Sequence, residues 1–169
     1  YGTIEYTINA TLSRTIDLIN NELINLQETH PFIWGMALNP QLDALIQVNR
    51  KKWEKRFELF EKISDNDAIT IANNIMPTNG ENFTFPQLES IWKTFNITDP
   101  LFNDVTFRGR LQEIVSNRIN ISHGNNSASE VGSRVTPADL SDRINDVSGY
   151  CSYFISVFEN YINTKGFKR

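Results

Sequence analysis

Several features are scarce or missing in this chain of 169 residues. It has one cysteine, eight glycines and no excess of basic residues. No apolar run approaches the ~20 residues that a membrane-spanning helix needs. A single cysteine excludes an internal disulfide, and the net charge of −4 gives no global support for nucleic-acid binding. No charged segment precedes an apolar stretch of signal-peptide type, so we expect a cytoplasmic protein without a membrane partner.

The sequence also lacks the common motifs of metal and phosphate chemistry. It has no Cys/His set with zinc spacing, no phosphate-cradling glycine loop and no G-x-S-x-G. We therefore predict no metal and no cofactor. His30, Asp65, Asp67 and Asp99 are interpreted as structural, capping and turn residues. Cys151 lies in an apolar helical pattern and is predicted to be a buried core thiol.

What remains is typical of one globular domain. Hydrophobic residues make up 40% of the chain and charged residues 21%, which are ordinary values for such a domain. The length is sufficient for a self-sufficient core. We therefore treat 1–169 as a single domain. Because the first residue is Tyr1 rather than Met, a piece of a longer protein is the alternative.

Apolar residues recur at a helical spacing of three to four over most of the chain. Helices are predicted over about 8–26, 40–63, 85–95, 104–123 and 136–161, with a short segment at 68–74. The turn cluster "MPTNGEN" precedes the third helix, and "GNNSASEVGSR" is predicted to be an exposed loop. The predicted fold is an all-α bundle of four main helices with one or two short extra helices.

The final helix has the strongest start signals. Thr136 suits the N-cap, Pro137 the first helical position and Asp139 the third position of a capping box. Val135 and Leu140 are spaced for a hydrophobic staple. The predicted buried stripe is Leu140, Ile144, Val147, Cys151, Phe154, Phe158 and Tyr161.

The basic segment "NRKKWEKR" has two interpretations. Its five cations surround Trp53, so it could bind RNA phosphates while the indole stacks on a base. Alternatively, Trp53 belongs to a core stripe and the cations form a solvated face. We favour the second interpretation. The predicted core stripe of this helix is Leu42, Leu45, Ile46, Trp53, Phe57 and Phe60.

The stretch "SNRINISHGNN" ends the 104–123 helix and contains one of the two histidines. Gly124 suits the left-handed position just past the end of this helix. Arg118 lies on the apolar edge of the helix, and His123 follows ~140° further around the axis unless the helix loosens near Gly124. Histidine suits proton transfer and arginine suits phosphate binding. The alternative is that Arg118 pairs with a carboxylate while His123 caps its own helix. Spacing alone favours this alternative.

"VSNRINISHGN", at the end of the penultimate long helix of an all-α bundle, resembles the HEPN superfamily. The HEPN signature is R-x-x-x-x-H, often continued as in R-N-x-I-A-H-G. The matching residues are Arg118, Ile121, His123 and Gly124, with Ser122 at the alanine position. The upstream stretch "FPQLESIWKTFNI" is similar to that of prokaryotic members.

This resemblance implies a metal-independent endoribonuclease. Two subunits would pack side by side, with both motifs lining one cleft. His123 would act as general base or acid at the ribose 2′-hydroxyl, and Arg118 would hold the scissile phosphate. The products would be a 2′,3′-cyclic phosphate and a 5′-hydroxyl. Many prokaryotic members are toxins or abortive-infection effectors, so the expected partners are RNA, a second copy, and a neutralising antitoxin or larger defence complex.

Two positions depart from the family pattern. Ile119 occupies a position that is usually polar in active members, which favours an alternative function as an inactive HEPN-like module for dimerisation or partner binding. Asn125 replaces the tyrosine of a branch that is silenced by nucleotide transfer. The further candidates for substrate binding are Asn117, Asn120, Ser122 and Arg110. For Arg110, an ion pair is the alternative.

Overall fold

The computed structural model describes residues 1–48, 50–76 and 82–169. Within these ranges the chain is helical and contains no strand, and Thr29 and Lys168 form an isolated bridge. The helices are α1 (Gly2–Asn21), α2 (Trp34–Ala37), α3 (Asn39–Gln47), α4 (Lys52–Ser64), α5 (Phe85–Thr94), α6 (Phe107–Ser122), α7 (Ala128–Gly132) and α8 (Pro137–Asn163). The all-α prediction is confirmed. The turn cluster predicted at "MPTNGEN" lies largely outside the described residues.

The two long helices α1 and α8 form the centre of the bundle. Helix α1 buries Ile8, Leu12, Ile16 and Ile19 at the predicted spacing, and Ile4 extends this stripe. The predicted continuation through Leu23 is wrong, because α1 has ended and Leu23 has a positive φ of 51° and is 76% exposed. Helix α8 buries the C-terminal members of its predicted stripe, which are Cys151, Phe154, Phe158 and Tyr161.

Helix α5 is held against α8 by aromatic packing. The Trp92 ring lies 5.5 Å from that of Phe154 and 5.8 Å from that of Phe158, and the rings of Phe95 and Phe158 are 5.2 Å apart. Edge-to-face and tilted contacts at these distances add to the energy of apolar burial. The helix predicted over about 85–95 thus forms as α5, and Leu88, Ile91, Trp92 and Phe95 are buried.

Helix α6 carries the motif, and two kinds of contact fix it on α8. The rings of Phe107 and Tyr150 stack with centroids 4.5 Å apart. Next to this stack, Arg110 donates to Asp146 at 3.0 Å, while Glu113 accepts from Arg143 at 2.6 Å. These contacts anchor the first half of α6, and the motif lies in its second half.

The helix predicted over 40–63 is wrong as a single element. It is divided into α3 and α4, and Lys51, just before α4, has a positive φ of 62°. Neither helix contains a fully buried residue. The predicted core positions Ile46, Trp53, Phe57 and Phe60 are 82%, 66%, 59% and 62% exposed. The pattern correctly indicated amphipathic character, but the described residues leave the face formed by Trp53, Phe57 and Phe60 largely exposed.

Two smaller predictions about the second half of the chain also change. The loop predicted at "GNNSASEVGSR" contains α7, which begins with a capping box between Ser127 and Glu130. At the start of α8 the predicted capping box of Thr136 and Asp139 is confirmed. Leu140 and Ile144, however, are 54% and 60% exposed rather than buried.

The segment predicted at 68–74 is irregular rather than helical, and it packs along α1. The Asn20 side chain bonds both the N–H and the carbonyl of Ile71 at 2.9 Å. The N–H of Ile69 donates to the Ile24 carbonyl at 2.7 Å. None of the helices in the described ranges combines the length and apolar character that a membrane crossing requires.

Candidate functional site

The end of α6 is closed by a turn that the sequence predicts. His123 is the C-terminal cap, and its N–H donates to the Ile119 carbonyl at 3.0 Å. Gly124 follows with a φ of +72°, the left-handed conformation expected of a glycine at this position. The N–H of Gly124 bonds the Ile121 carbonyl at 3.1 Å, and that of Asn125 bonds the Asn120 carbonyl at 2.9 Å. This Schellman arrangement leaves the His123 side chain exposed at the helix terminus.

Arg118 lies on one side of α6, in an open groove of about 440 Å³. Its guanidinium carbon is 5.2 Å from the centroid of the Tyr1 ring, within cation–π range. The Tyr1 hydroxyl accepts a hydrogen bond from the N–H of Phe83 at 3.0 Å, which fixes the ring under the arginine. Partial burial raises the pKa of Tyr1, and the Arg118 charge opposes this effect. The residues lining the groove are Tyr1, Ile114, Asn117, Arg118, Ile121 and Ser122.

The other three candidates for substrate binding near the motif differ in their surroundings. Asn117 is half-buried in the Arg118 groove. Ser122 lines the same groove, but its hydroxyl donates to the Ile119 carbonyl at 2.9 Å. Asn120 is half-buried, and its backbone carbonyl is part of the turn that closes the helix.

A second groove, of about 410 Å³, lies on another side of α6. It includes α6 positions 112, 116 and 119, and the same helical stripe reaches position 123 one turn later. His123 thus continues the line of the second groove, whereas Arg118 lines the first. One chain therefore places the two signature residues on different sides of α6, as their spacing predicts.

Arg110 occupies a structural position. Its guanidinium donates to Asp146 and Glu113, each at 3.0 Å. The hydrogen bond to Asp146 is the main cause of the raised pKa of Arg110, and Glu113 adds to it. Arg110 therefore forms ion pairs, as the alternative interpretation of this residue predicted. This arginine joins α6 to α8, and we leave it out of the proposed substrate site.

The basic segment around Trp53 lies on the exposed α4 helix. The Arg56 guanidinium carbon is 4.7 Å from the centroid of the Trp53 ring. Lys51 pairs with Glu54 at 3.2 Å and Lys55 with Glu58 at 2.6 Å, so part of the positive charge is neutralised. The favoured interpretation is wrong in making Trp53 a core residue. Its other half, a solvated face of cations, agrees with the exposure of Arg50, Lys51, Lys52 and Arg56.

Among the residues that the structure describes, no group of three or more His, Cys, Asp or Glu side chains could hold a metal ion.

Comparison with known proteins identifies the family of this chain. A family model described as HEPN_MAE_28990-like HEPN matches residues 1–167. The chain belongs to this HEPN family. No curated protein and no solved structure was found to match it.

This HEPN domain thus presents an arginine and a histidine at the end of a well-anchored helix. An exposed imidazole can accept or donate a proton, and a guanidinium can bind a phosphate through its planar fork of donors. Both groups are accessible from solvent. A polyanionic substrate can therefore reach them.

Sequence reasoning missed two neighbours of these residues. Tyr1 lies under Arg118, and Phe85 lies under Arg108 at 3.9 Å. Both aromatic residues come from segments distant in sequence from α6, so no local spacing pattern links them to the motif.

Proposed function

We propose that this HEPN domain is a metal-independent endoribonuclease in which Arg118 and His123 carry out the cleavage. The observation that carries the proposal is the exposed Arg118–His123 pair at the closed end of α6, in a chain of a family whose domains are often ribonucleases. We further propose that the protein acts in the cytoplasm as a toxin or defence effector.

The proposed reaction is an internal transesterification of RNA. His123 accepts the proton of a ribose 2′-hydroxyl, and the 2′ oxygen forms a bond to the adjacent phosphorus. The bond from phosphorus to the 5′ oxygen breaks, and His123, now acting as general acid, returns the proton to that oxygen. Arg118 binds the phosphate and stabilises the charge that develops on it. The products are a 2′,3′-cyclic phosphate and a 5′-hydroxyl.

The proposed active form is a homodimer. Helical spacing sets Arg118 and His123 ~140° apart around α6, so we propose that one chain alone does not bring both to a single phosphate. A second copy packed at the end of α6 would bring its own arginine and histidine to the same cleft. The exposed apolar residues Ile121, Leu140 and Ile144 offer surface for such a contact. An antitoxin or a larger defence complex is the proposed regulator.

One observation favours a second candidate function. Ile119, which replaces the usual polar residue, is half-buried and packs against the hydrophobic core. In this position it supports the fold and offers no polar contact to a phosphate. The second candidate is therefore a HEPN module without catalysis, which serves dimerisation or partner binding.

Cleavage of single-stranded and structured RNA in EDTA tests the proposal. We expect the parent protein to cut, and we expect His123→Ala to lower the rate by about 10²- to 10⁴-fold because proton transfer is lost. Mass spectrometry should identify the cyclic phosphate at the new 3′ end.

The chain offers a matched control in its other histidine. His30 begins a short helical turn, where its ring nitrogen accepts from the N–H of Phe32, and it is absent from the proposed site. His30→Ala should retain cleavage, and circular dichroism should show that both variants are folded. If the folded parent does not cut RNA, the module without catalysis is favoured. Equal rates for parent and His123→Ala would contradict the proposed role of His123.

A further inference from the structure

The second groove beside α6 has the composition of a small-ligand site. Its floor is formed by apolar side chains of α5 and α6, and its volume of about 410 Å³ is in the range of small-molecule pockets. Three polar side chains, Arg108, Gln112 and Ser116, stand at its edge and are exposed. An apolar slot with a few polar groups at its margin suits a flat ligand that carries hydrogen-bonding edges.

One wall of the groove places a guanidinium over an aromatic ring. The guanidinium carbon of Arg108 lies 3.9 Å from the centroid of the Phe85 ring. Within the part of the chain that the structure describes, Arg108 has no carboxylate within ion-pair distance. The outer face of its guanidinium is therefore available. Proteins that bind unpaired RNA commonly stack bases on aromatic rings and on arginine guanidinium planes.

The groove also presents hydrogen-bonding groups beside this stack. Gln112 follows Arg108 by one helical turn and Ser116 follows by two, so all three lie along one side of α6. In the described ranges neither the Gln112 amide nor the Ser116 hydroxyl has a hydrogen-bond partner. An amide has both donors and an acceptor, which suits the edge of a nucleobase.

The same stripe leads to the proposed catalytic histidine. Positions 112, 116, 119 and 123 follow one another at intervals of four, three and four residues. Ser116 and His123 are seven residues apart, which is about 10 Å along the helix axis. A nucleotide bound in the groove would thus lie beside a phosphate that reaches His123.

We propose that this groove is a nucleobase subsite, in which a base of the RNA strand stacks on the outer face of Arg108 and Gln112 contacts its edge. The proposal rests on the proposed function for the identity of the ligand as RNA. It adds a base-recognition element that the R-x-x-x-x-H signature does not contain.

Binding measured separately from cleavage tests the subsite. The probes are fluorescently labelled, single-stranded oligonucleotides of adenine, uracil or cytosine, and the protein carries His123→Ala so that the RNA stays intact. Adding Arg108→Ala should weaken binding by about tenfold, the loss expected for one stacked base. Adding Gln112→Ala should reduce the difference in affinity among the three oligonucleotides, because the contact to the base edge is lost.

Two further variants separate stacking from charge and from general surface effects. Arg108→Lys keeps the positive charge but loses the planar face, so it should bind nearly as weakly as Arg108→Ala. Arg169→Ala is the matched control, because Arg169 is also exposed and lies over a ring, that of Trp34, at 5.3 Å. It should bind RNA like the starting protein.

Several results would overturn the subsite. Full affinity in Arg108→Lys would mean a phosphate contact rather than a base contact. Equal losses in Arg108→Ala and Arg169→Ala would mean a non-specific effect of charge. A change in oligomeric state without a change in RNA affinity would mean that a second copy covers the groove, and an absence of RNA binding would also refute the subsite. Cleavage by the parent protein is measured independently of binding. If the parent cuts RNA and Arg108→Ala binds RNA normally, only the subsite is refuted. If binding depends on Arg108 but the parent does not cut RNA, only the nuclease function is refuted.

Discussion

The position of His123 depends on the residue that follows it. Gly124 has a φ of +72°, and the turn it allows satisfies the carbonyls of Ile121 and Asn120 at the end of α6. A Cβ atom added at position 124 would meet no neighbouring atom within 4 Å. Glycine is therefore required here for its backbone conformation rather than for lack of space. This backbone conformation closes the helix directly after His123.

Gly124→Ala should lower the free energy of unfolding by about 1 kcal/mol, because alanine disfavours a left-handed backbone. Gly109→Ala is a matched control within α6, where the added methyl group also meets open space. Since Gly109 has no positive φ, its replacement should raise stability by about 0.5–1 kcal/mol. Urea unfolding measures both changes. Two changes of the same sign would contradict the conformational role of Gly124.

The features predicted best from the sequence were those that depend on residues close to one another along the chain. The capping box of Thr136 and Asp139 and the left-handed Gly124 depend on neighbours within a few residues. The contacts of Tyr1 with Arg118 and of Phe85 with Arg108 join distant segments. They follow from the tertiary packing of the bundle and have no local signature. The motif residues themselves were found through resemblance to a family rather than through spacing.

Among the helices, α4 shows what periodicity alone can establish. The spacing of Trp53, Phe57 and Phe60 places them on one face, and the Trp53 and Phe57 rings are 6.1 Å apart. The pattern identifies an amphipathic helix but does not identify what covers its apolar side. In α8, the exposed Leu140 and Ile144 continue a stripe whose later members are buried, and they illustrate the same limit.

The contrast between two tryptophans tests this description of α4. Trp53→Ala should change the free energy of unfolding by less than about 1 kcal/mol, because the side chain is 66% exposed. Trp92→Ala should cost about 3–5 kcal/mol, because Trp92 is 6% exposed and its indole N–H donates to the Asp99 carbonyl at 3.0 Å. Chemical unfolding of the two variants gives the comparison. A loss of several kcal/mol in Trp53→Ala would show that something covers α4 in solution.

For the whole molecule, the net charge of −4 must be reconciled with the proposed polyanionic substrate. The proposed contacts to RNA are local: Arg118 in one groove and Arg108 in the other. The local positive charge of Arg118 is sufficient for a phosphate contact, and it makes affinity depend on salt concentration. The molecule therefore has no need of the global basic excess that its composition lacks.

The central claim at this scale is that the active site forms only in a dimer, where Arg118 of one copy and His123 of the other act on the same phosphate. Arg118 and His123 lie on different sides of α6, so the proposed cleft combines groups from both copies. This claim distinguishes a dimeric nuclease from a monomer that acts with one arginine and one histidine of the same chain.

Complementation between two inactive variants measures this directly. Arg118→Ala and His123→Ala, carrying different affinity tags, are produced together, and the heterodimers are isolated through both tags and assayed on RNA in EDTA. We expect each variant alone to be nearly inactive, and we expect the heterodimer to recover a substantial part of the parent rate, because one intact arginine and one intact histidine meet in the shared cleft. A parent that cuts RNA together with an inactive heterodimer would contradict the shared cleft.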